Sequence, residues 1–330
     1  MKYCKKCGLP ENYKKIEFDE NGVCNYCKFY ESHKDMLNNY ELLEEKFVEQ
    51  LEIAKQKASQ SGSEYDCLIG FSGGKDSTYV AYQLKKHYNM RVLAFTYDNG
   101  FSTEYGQNNI INALKKLDID HIRISLRDSE FKKYNRSCVK MFGNFCMVCF
   151  HMMHYYSHLI AGEKGIPLII NGRSRGQVLQ SACSEKLIEP FEISHCLKDF
   201  EYQMFGKMVD INTKKKGKQA YTDKHDVTSL SYFMYHRYDA EYIINFLEKE
   251  IAWTPPAKKD PHPDCWAHAM AEKYSIDTYG YPVLTGELAY RVRSGELSID
   301  ETHKALRQDL RRYSKPEPQL VNRFCNAIDL

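Results

Sequence analysis

Short apolar runs bounded by turn formers recur through the middle of the chain. Asp66-Cys67-Leu68-Ile69-Gly70-Phe71, after the break Ser61-Gly62-Ser63, reads as a buried strand. Arg91-Val92-Leu93-Ala94-Phe95-Thr96-Tyr97 gives a second, Asp120 to Ser125 a third and Pro167-Leu168-Ile169-Ile170 a fourth. Between them, helical spacing predicts helices from Ser77 to about Tyr88 and over Asn108 to Leu117. Alternation of this kind predicts an α/β fold, a doubly wound parallel sheet with helices on both faces. Its ligands would sit at the carboxyl ends of the strands. Upstream, Leu42, Leu43, Phe47, Val48, Leu51 and Ala54 predict one amphipathic helix from about Glu31 to Ser59. Residues 189–228 are less regular, and the chain then returns to helix, most clearly over Tyr238 to Ile251 and Asp264 to Tyr274. No internal repeat or low-complexity tract interrupts this organisation.

Length and composition narrow the picture. At 330 residues with 43% hydrophobic and 27% charged positions, the chain can bury a core and suits roughly two units. Disordered, collagen-like and coiled-coil readings are excluded. A net charge of +2 is too balanced for a protein that coats itself in nucleic acid, although a local basic patch stays open. The start, MKYCKKCGLP, has no apolar leader core, and no stretch reaches the length of a membrane span, so the expected location is cytoplasmic with no membrane contact. Twelve cysteines in a reducing compartment point to metal ligands or catalytic thiols rather than disulfides.

Three constellations carry chemistry. Cys4-x2-Cys7 and Cys24-x2-Cys27, with Gly8 and Gly22 beside the knuckles, match a zinc ribbon in which two tight turns each aim two thiolates at one tetrahedral Zn²⁺. Ser72-Gly73-Gly74-Lys75-Asp76-Ser77 stands between a strand and a helix start, where backbone N–H groups and the helix dipole hold phosphates; the Walker pattern does not fit it. Cys146-Met147-Val148-Cys149 precedes a helix-like run from Phe150 to Ala161, and Cys265 stands far downstream. From the residues alone, such thiols suit a Zn²⁺ site or a catalytic disulfide pair, or lie buried and inert.

Lesser features leave two readings each. Asp98 either touches ribose or Mg²⁺ or makes an Asx-turn; Arg173, ahead of Arg175, either holds phosphate or is a surface arginine. His151, His154 and His158 share a helix face and either bind a ligand or form a half-buried polar face. The run Lys214-Lys215-Lys216-Gly217-Lys218 is a solvated loop or a cover over a phosphorylated ligand. The tyrosines fit packing and do not argue for base stacking.

The Ser72–Ser77 segment resembles the PP-loop, SGGxDS, of the ATP pyrophosphatase (adenine nucleotide alpha-hydrolase) superfamily. That resemblance implies a HUP-type, Rossmann-like sheet and ATP cleaved between the α and β phosphates, with AMP transferred to a substrate oxygen. It also implies pyrophosphate contacts from Ser72, Lys75 and Ser77, and Mg²⁺ placed by Asp76. The CxxC with one distant cysteine resembles the three-ligand [4Fe-4S] site of PP-loop tRNA thiolation enzymes, which implies a cluster held by Cys146, Cys149 and Cys265, with Cys138, Cys183 and Cys196 as substitutes for the third ligand. A second resemblance spans nearly the whole chain: the ribbon with Leu9-Pro10 and Phe18-Asp19-Glu20-Asn21-Gly22-Val23, the tail Phe246 to Trp253, Asp264-Cys265, Tyr279-Gly280-Tyr281 and Arg293-Ser294-Gly295-Glu296-Leu297 are similar to N-acetyl sugar amidotransferases of surface-polysaccharide synthesis. The expected organisation is a zinc ribbon (1–30), a linker helix (31–60), a PP-loop nucleotide-binding domain (61–230) and a helical C-terminal region (231–330). The expected function is adenylation followed by sulfur insertion through Cys146, Cys149 and Cys265. The alternatives are amide formation with ammonia from a glutaminase partner, or a regulatory module that binds adenine nucleotides. Small-molecule, nucleotide-sugar and tRNA substrates, a sulfide donor and a homodimer are the expected partners.

Overall fold

The computed structural model describes residues 2–180, 227–256 and 263–330. Its sheet has five strands: β1 Cys67–Gly70, β2 Val92–Asp98, β3 Asp120–Ser125, β4 Leu168–Asn171 and β5 Thr228–Ser231. All neighbours are parallel, in the order β3-β2-β1-β4-β5. The first four are the strands that the apolar runs predict. β5 is not, because Thr-Ser-Leu-Ser offers only Leu230 to the core and so lacks an apolar run. The chain lays β1, β2 and β3 outward and then crosses back to place β4 and β5 on the other side. That reversal opens a crevice at the carboxyl ends of β1 and β4.

Strand residues alternate between two cores. Cys67, Ile69, Val92, Ala94, Leu168 and Ile170 join one, and Leu68, Leu93, Phe95 and Ile169 join the other. Helices α2 (Tyr40–Ser61), α3 (Lys75–Tyr82) and α4 (Glu104–Leu117) cover the first face; α5 (Asp128–Phe142) and α6 (Cys146–Lys164) cover the second. Both faces of the central strands β1, β2 and β4 are covered, as a parallel sheet requires, while the edge strand β3 stays partly exposed.

The single helix expected over 31–59 is two: α1 Asn25–Asn38 and α2. Asn39 leaves helical geometry and its side chain accepts from the Leu42 N–H, so the chain is recapped where the periodicity alone shows no break. The helix expected from Phe150 begins at Cys146 instead, because Asn144 Oδ1 accepts the Cys146 N–H at 3.0 Å. α5, between β3 and α6, is an element the sequence pattern does not announce.

After β4 come α7 (Arg175–Leu179), and beyond β5 a short α8 (Tyr232–Tyr235) and α9 (Ala240–Ile251). Four helices close the chain: α10 His268–Tyr279, α11 Thr285–Arg293, α12 Ile299–Tyr313 and α13 Pro318–Ile328. Met270 of α10 and Phe324 and Ile328 of α13 form a third core with Phe101 and Phe145. The N-terminal cysteine turns pack with Tyr281 and Ala289 in a fourth. Among the described residues, no helix is long and apolar enough to cross a membrane.

Candidate functional site

Each predicted site residue except the N-terminal cysteines lies on a loop or helix start at the carboxyl edge of the sheet. Winding direction explains this: a helix between parallel strands runs against them, so its N-terminus returns to the edge where the strands end. The loop after β1 carries Ser72 to Ser77, the loop after β2 carries Asp98, the start of α6 carries Cys146 and Cys149, and the loop after β4 carries Arg173.

The loop after β1 is drawn tight by its own hydroxyls. Ser77 Oγ lies 3.3 Å from both the amide N and the Oγ of Ser72, and donates to the Gly74 carbonyl at 3.2 Å. Gly73 has φ +75°, and a Cβ there would lie 2.6 Å from Ile110 Cγ1 and 2.8 Å from the Gly106 carbonyl, so only glycine fits. Lys75 Nζ bonds Asp76 Oδ2 at 2.8 Å and lies 5.5 Å from the Tyr238 ring centre. Burial works against the Lys75 charge, but Asp76 and then Tyr238 outweigh it and hold the ammonium above its ordinary range. Asp76 Oδ1 is buried with no hydrogen-bond partner among the described residues. An orphaned carboxylate oxygen beside a glycine-rich loop between a strand and a helix start fits a hard cation such as Mg²⁺.

Asp98 pairs with Arg123 at 2.7 Å through Oδ2 and accepts the Gly100 N–H through Oδ1, so the Asx-turn is present. Arg173 Nη2 donates to the Gln177 carbonyl at 3.1 Å, and its guanidinium stacks 4.9 Å from the Phe150 ring centre. Arg175 is buried and serves structure: it donates to the carbonyls of Phe233, Met234 and Leu37. His151 and His158 are buried, each donating Nδ1–H to a carbonyl one turn back, and burial lowers the His151 basicity.

Cys146, Cys149 and Cys265 are half-buried and close enough for their charges to act on one another. The Cys265 segment is zipped to the loop after β2. Ser102 and Cys265 form an antiparallel bridge, Trp266 N–H donates to the Phe101 carbonyl at 3.0 Å, and Thr103 N–H donates to the Asp264 carbonyl at 3.0 Å. Asn99 of that loop points its amide N–H at Cys149 Sγ, 3.6 Å away, because its Oδ1 already accepts the Phe101 N–H. Burial pushes the thiols up, Cys149 to about 11, Cys265 to about 12 and Cys146 well above its ordinary value. All three therefore stay protonated at neutral pH unless a cation draws off the proton. The substitutes Cys183 and Cys196, and the basic run 214–218, lie outside the described residues. Cys138 is fully buried, with its Sγ directed at the Asn144 carbonyl.

Two residues that the motifs do not announce join these pieces. Gly106, in the first turn of α4, packs between them: its carbonyl lies against Gly73, and a Cβ on it would meet Asp264 Cβ at 3.0 Å. Trp253, past the end of α9, donates its indole N–H to the Gly73 carbonyl at 2.9 Å.

Far from this edge, Cys4, Cys7, Cys24 and Cys27 are buried with all four sulfurs within 4.8 Å of one another. Thiolates that close repel unless a cation stands among them, and four sulfurs around one centre are the donor set of tetrahedral zinc. Among the described residues this is the only such group of three or more metal-ligating side chains.

No described protein family matches the chain. An uncharacterised protein of Methanocaldococcus jannaschii is 23% identical over 128 residues, 39% of this chain and 45% of that protein, so the match spans under half of that relative. Among solved structures, the chain is similar to the U34-tRNA thiolase NcsA from Methanococcus maripaludis with its [4Fe-4S] cluster, at 15% identity, 93% of this chain, 88% of that chain and a TM-score of 0.38. It is also similar to an NAD+ synthetase from Burkholderia pseudomallei, at 11% identity, 81% and 87% coverage and a TM-score of 0.40. An NH3-dependent NAD synthetase from Campylobacter jejuni gives 14% identity, 56% and 94% coverage and a TM-score of 0.33.

Proposed function

We propose that the chain is a PP-loop enzyme that uses ATP, releases pyrophosphate, and exchanges a substrate carbonyl oxygen for sulfur. One observation supports the reading: Cys146 and Cys149 open α6, Asn99 of the loop after β2 reaches Cys149, and Cys265, more than a hundred residues later, is bridged to Ser102 of that same loop.

In this reading the amides around Gly73 and Gly74, with Ser72, Lys75 and Ser77, hold the β and γ phosphates, and Asp76 holds Mg²⁺ against them. Arg173 and Asp98 border the nucleotide from the neighbouring strand ends. The acceptor oxygen bonds to the α phosphorus, the bridge to the β phosphate breaks, and pyrophosphate leaves. The Lys75 ammonium, kept charged by Asp76, balances charge on the leaving group. Adenylation turns a poor leaving oxygen into a good one. Sulfide then forms the C–S bond as the C–O bond breaks and AMP departs. Cys146, Cys149 and Cys265 would hold a [4Fe-4S] cluster, which when bound supplies an iron left open for that sulfide. Cys4, Cys7, Cys24 and Cys27 would hold a structural Zn²⁺. The same reading divides the chain into a ribbon (1–30), a helical linker (31–60), a nucleotide-binding unit (61–230) and a helical region (231–330). The acceptor is a carbonyl of a small molecule, a nucleotide sugar or a tRNA base.

Anaerobic purification followed by iron, sulfide and nucleotide analysis tests this. The expected protein is brown, carries iron and acid-labile sulfide, and forms AMP and pyrophosphate; Asp76→Asn abolishes ATP cleavage while the fold persists. Formation of ADP, or turnover retained in Asp76→Asn, overturns the loop assignment. A colourless protein that consumes ammonia from a glutaminase turns the second step into amide formation.

A further inference from the structure

The four N-terminal cysteines pose a charge problem that one residue answers. Four thiolates around one Zn²⁺ leave an excess of two negative charges, and these sulfurs are buried, Cys7 and Cys24 completely. Cys4 Sγ accepts two backbone N–H groups, from Lys6 at 3.4 Å and Cys24 at 3.3 Å. Cys7 Sγ receives instead a guanidinium: Nη1 of Arg293, from the last turn of α11, at 3.5 Å. Arg293 is buried, and among the described residues no carboxylate pairs with it. Its other contacts are the Tyr290 ring, with its centre 5.8 Å away, and the Gln180 carbonyl, 3.4 Å from Nη2. Gln180 is also held by Tyr13 of the ribbon, whose hydroxyl donates to its Oε1 at 3.4 Å. A buried arginine with no acid partner among the described residues, set against one sulfur of a four-sulfur cage, is otherwise costly.

We propose that Arg293 is the outer partner of the ribbon's metal: it offsets the excess charge through Cys7, damps that sulfur's reactivity, and anchors the metal knuckle to the segment that leaves β4 through α7. This rests on the zinc reading of the four cysteines. Outer-sphere donors of this kind hold a metal tighter and withdraw electron density from the ligand they touch. Zinc-bound thiolates remain nucleophiles, and removing the donor raises the reactivity of Cys7 to that of a sulfur with no N–H donor. An alkylating agent then forms an S–C bond at Cys7 and expels iodide, and the neutral thioether releases the zinc.

The full-length zinc form is compared with Arg293→Met and Arg293→Lys. Zinc transfer to a chromophoric chelator and peptide-mapped alkylation by iodoacetamide are measured. Arg293→Met is expected to weaken zinc binding by about 10–100-fold and to speed alkylation of Cys7 relative to the same cysteine in wild type. Arg293→Lys, which keeps the charge but not the fork, is expected to fall between. Should Arg293→Met fail to fold, Arg293→Lys carries the same comparison through faster Cys7 labelling than in wild type. Unchanged zinc retention, or a Cys7 labelling rate equal to that of wild type, overturns the proposal and leaves Arg293 a packing residue. A wild-type chain that retains no zinc overturns the ribbon reading as well.

Discussion

The molecule carries two sets of cysteines that differ in geometry more than in chemistry. The N-terminal four are buried and bring their sulfurs within 4.8 Å of one another; the central three are half-buried and are not gathered so closely. A closed cage of four sulfurs suits a single ion that holds a short segment together. A wider set of three at a ligand crevice suits a larger centre with a position left free, because four irons keep their thiolates further apart than one zinc does. The surroundings differ as well. The ribbon packs on Tyr281, ahead of α11, and on Ala289 and Arg293 of α11, whereas the central set is joined through Asp264 and Gly106 to the loop after β1.

The largest expected effect separates the two sets outright. Cys146→Ala should lose essentially all iron and labile sulfide while zinc stays at one per chain, as read by elemental analysis of the anaerobic protein. Loss of both metals together would show that the two sets are not independent centres.

A buried acid behind the central set gives the next. Glu272 of α10 is fully buried, and burial pushes its carboxyl up to about 7, against the pull of the Val283 N–H on Oε2. Its charge also acts on Cys146. The unfolded carboxyl ionises near 4.5. Stability from this residue is therefore full below about 4.5, is lost as pH rises through about 7 and is flat above, a change of about 3 kcal/mol. Glu272→Gln should remove that slope, so that urea midpoints at pH 5 and pH 8 converge relative to wild type. An identical slope in the variant would place the titration elsewhere.

Gly106→Val tests the link between the phosphate-type loop and Cys265. The new side chain presses on Asp264 at 3.0 Å, which should cost about 1–3 kcal/mol. It should weaken ATP cleavage and iron retention together while zinc content holds. Weakening of one alone would mean that α4 does not couple them.

The sequence made β1, β2, β4 and both cysteine spacings readable because each is written locally: buried runs of four to seven residues and cysteine pairs with two residues between them. The break at Asn39 was hidden because a cap changes backbone geometry without disturbing the apolar period. β5 was hidden because an edge strand that buries only Leu230 has no run to show. The same applies at the site. Ser72 to Ser77 announces itself, but Gly106, Asn99 and Arg293 act through neighbours distant in sequence, and nothing in their local pattern marks them. Trp253 lies between these cases: it belongs to a recognisable tail, yet only the fold shows what its indole touches.

That indole gives the smallest expected effect. Trp253 is buried, with its N–H on the Gly73 carbonyl at 2.9 Å, and the next residue, Thr254, exchanges two bonds with the Asn109 amide of α4. Ala252, just before it, adopts φ +54°, an unusual conformation for alanine that turns the chain from α9 toward the loop. Trp253→Phe keeps most of the packing and deletes one donor, leaving the Gly73 carbonyl without its partner. The expected loss is about 1 kcal/mol, expressed as a several-fold higher KM for ATP with little change in kcat, because the amides of the loop lose a fixed backbone rather than a reacting group. Iron and zinc contents should both stay at wild-type levels. A fall in kcat with KM unchanged would mean that the indole shapes the reacting geometry itself, and a fall in iron content would mean that the loop and the central cysteines share one rigid frame extending past Gly106 to α9.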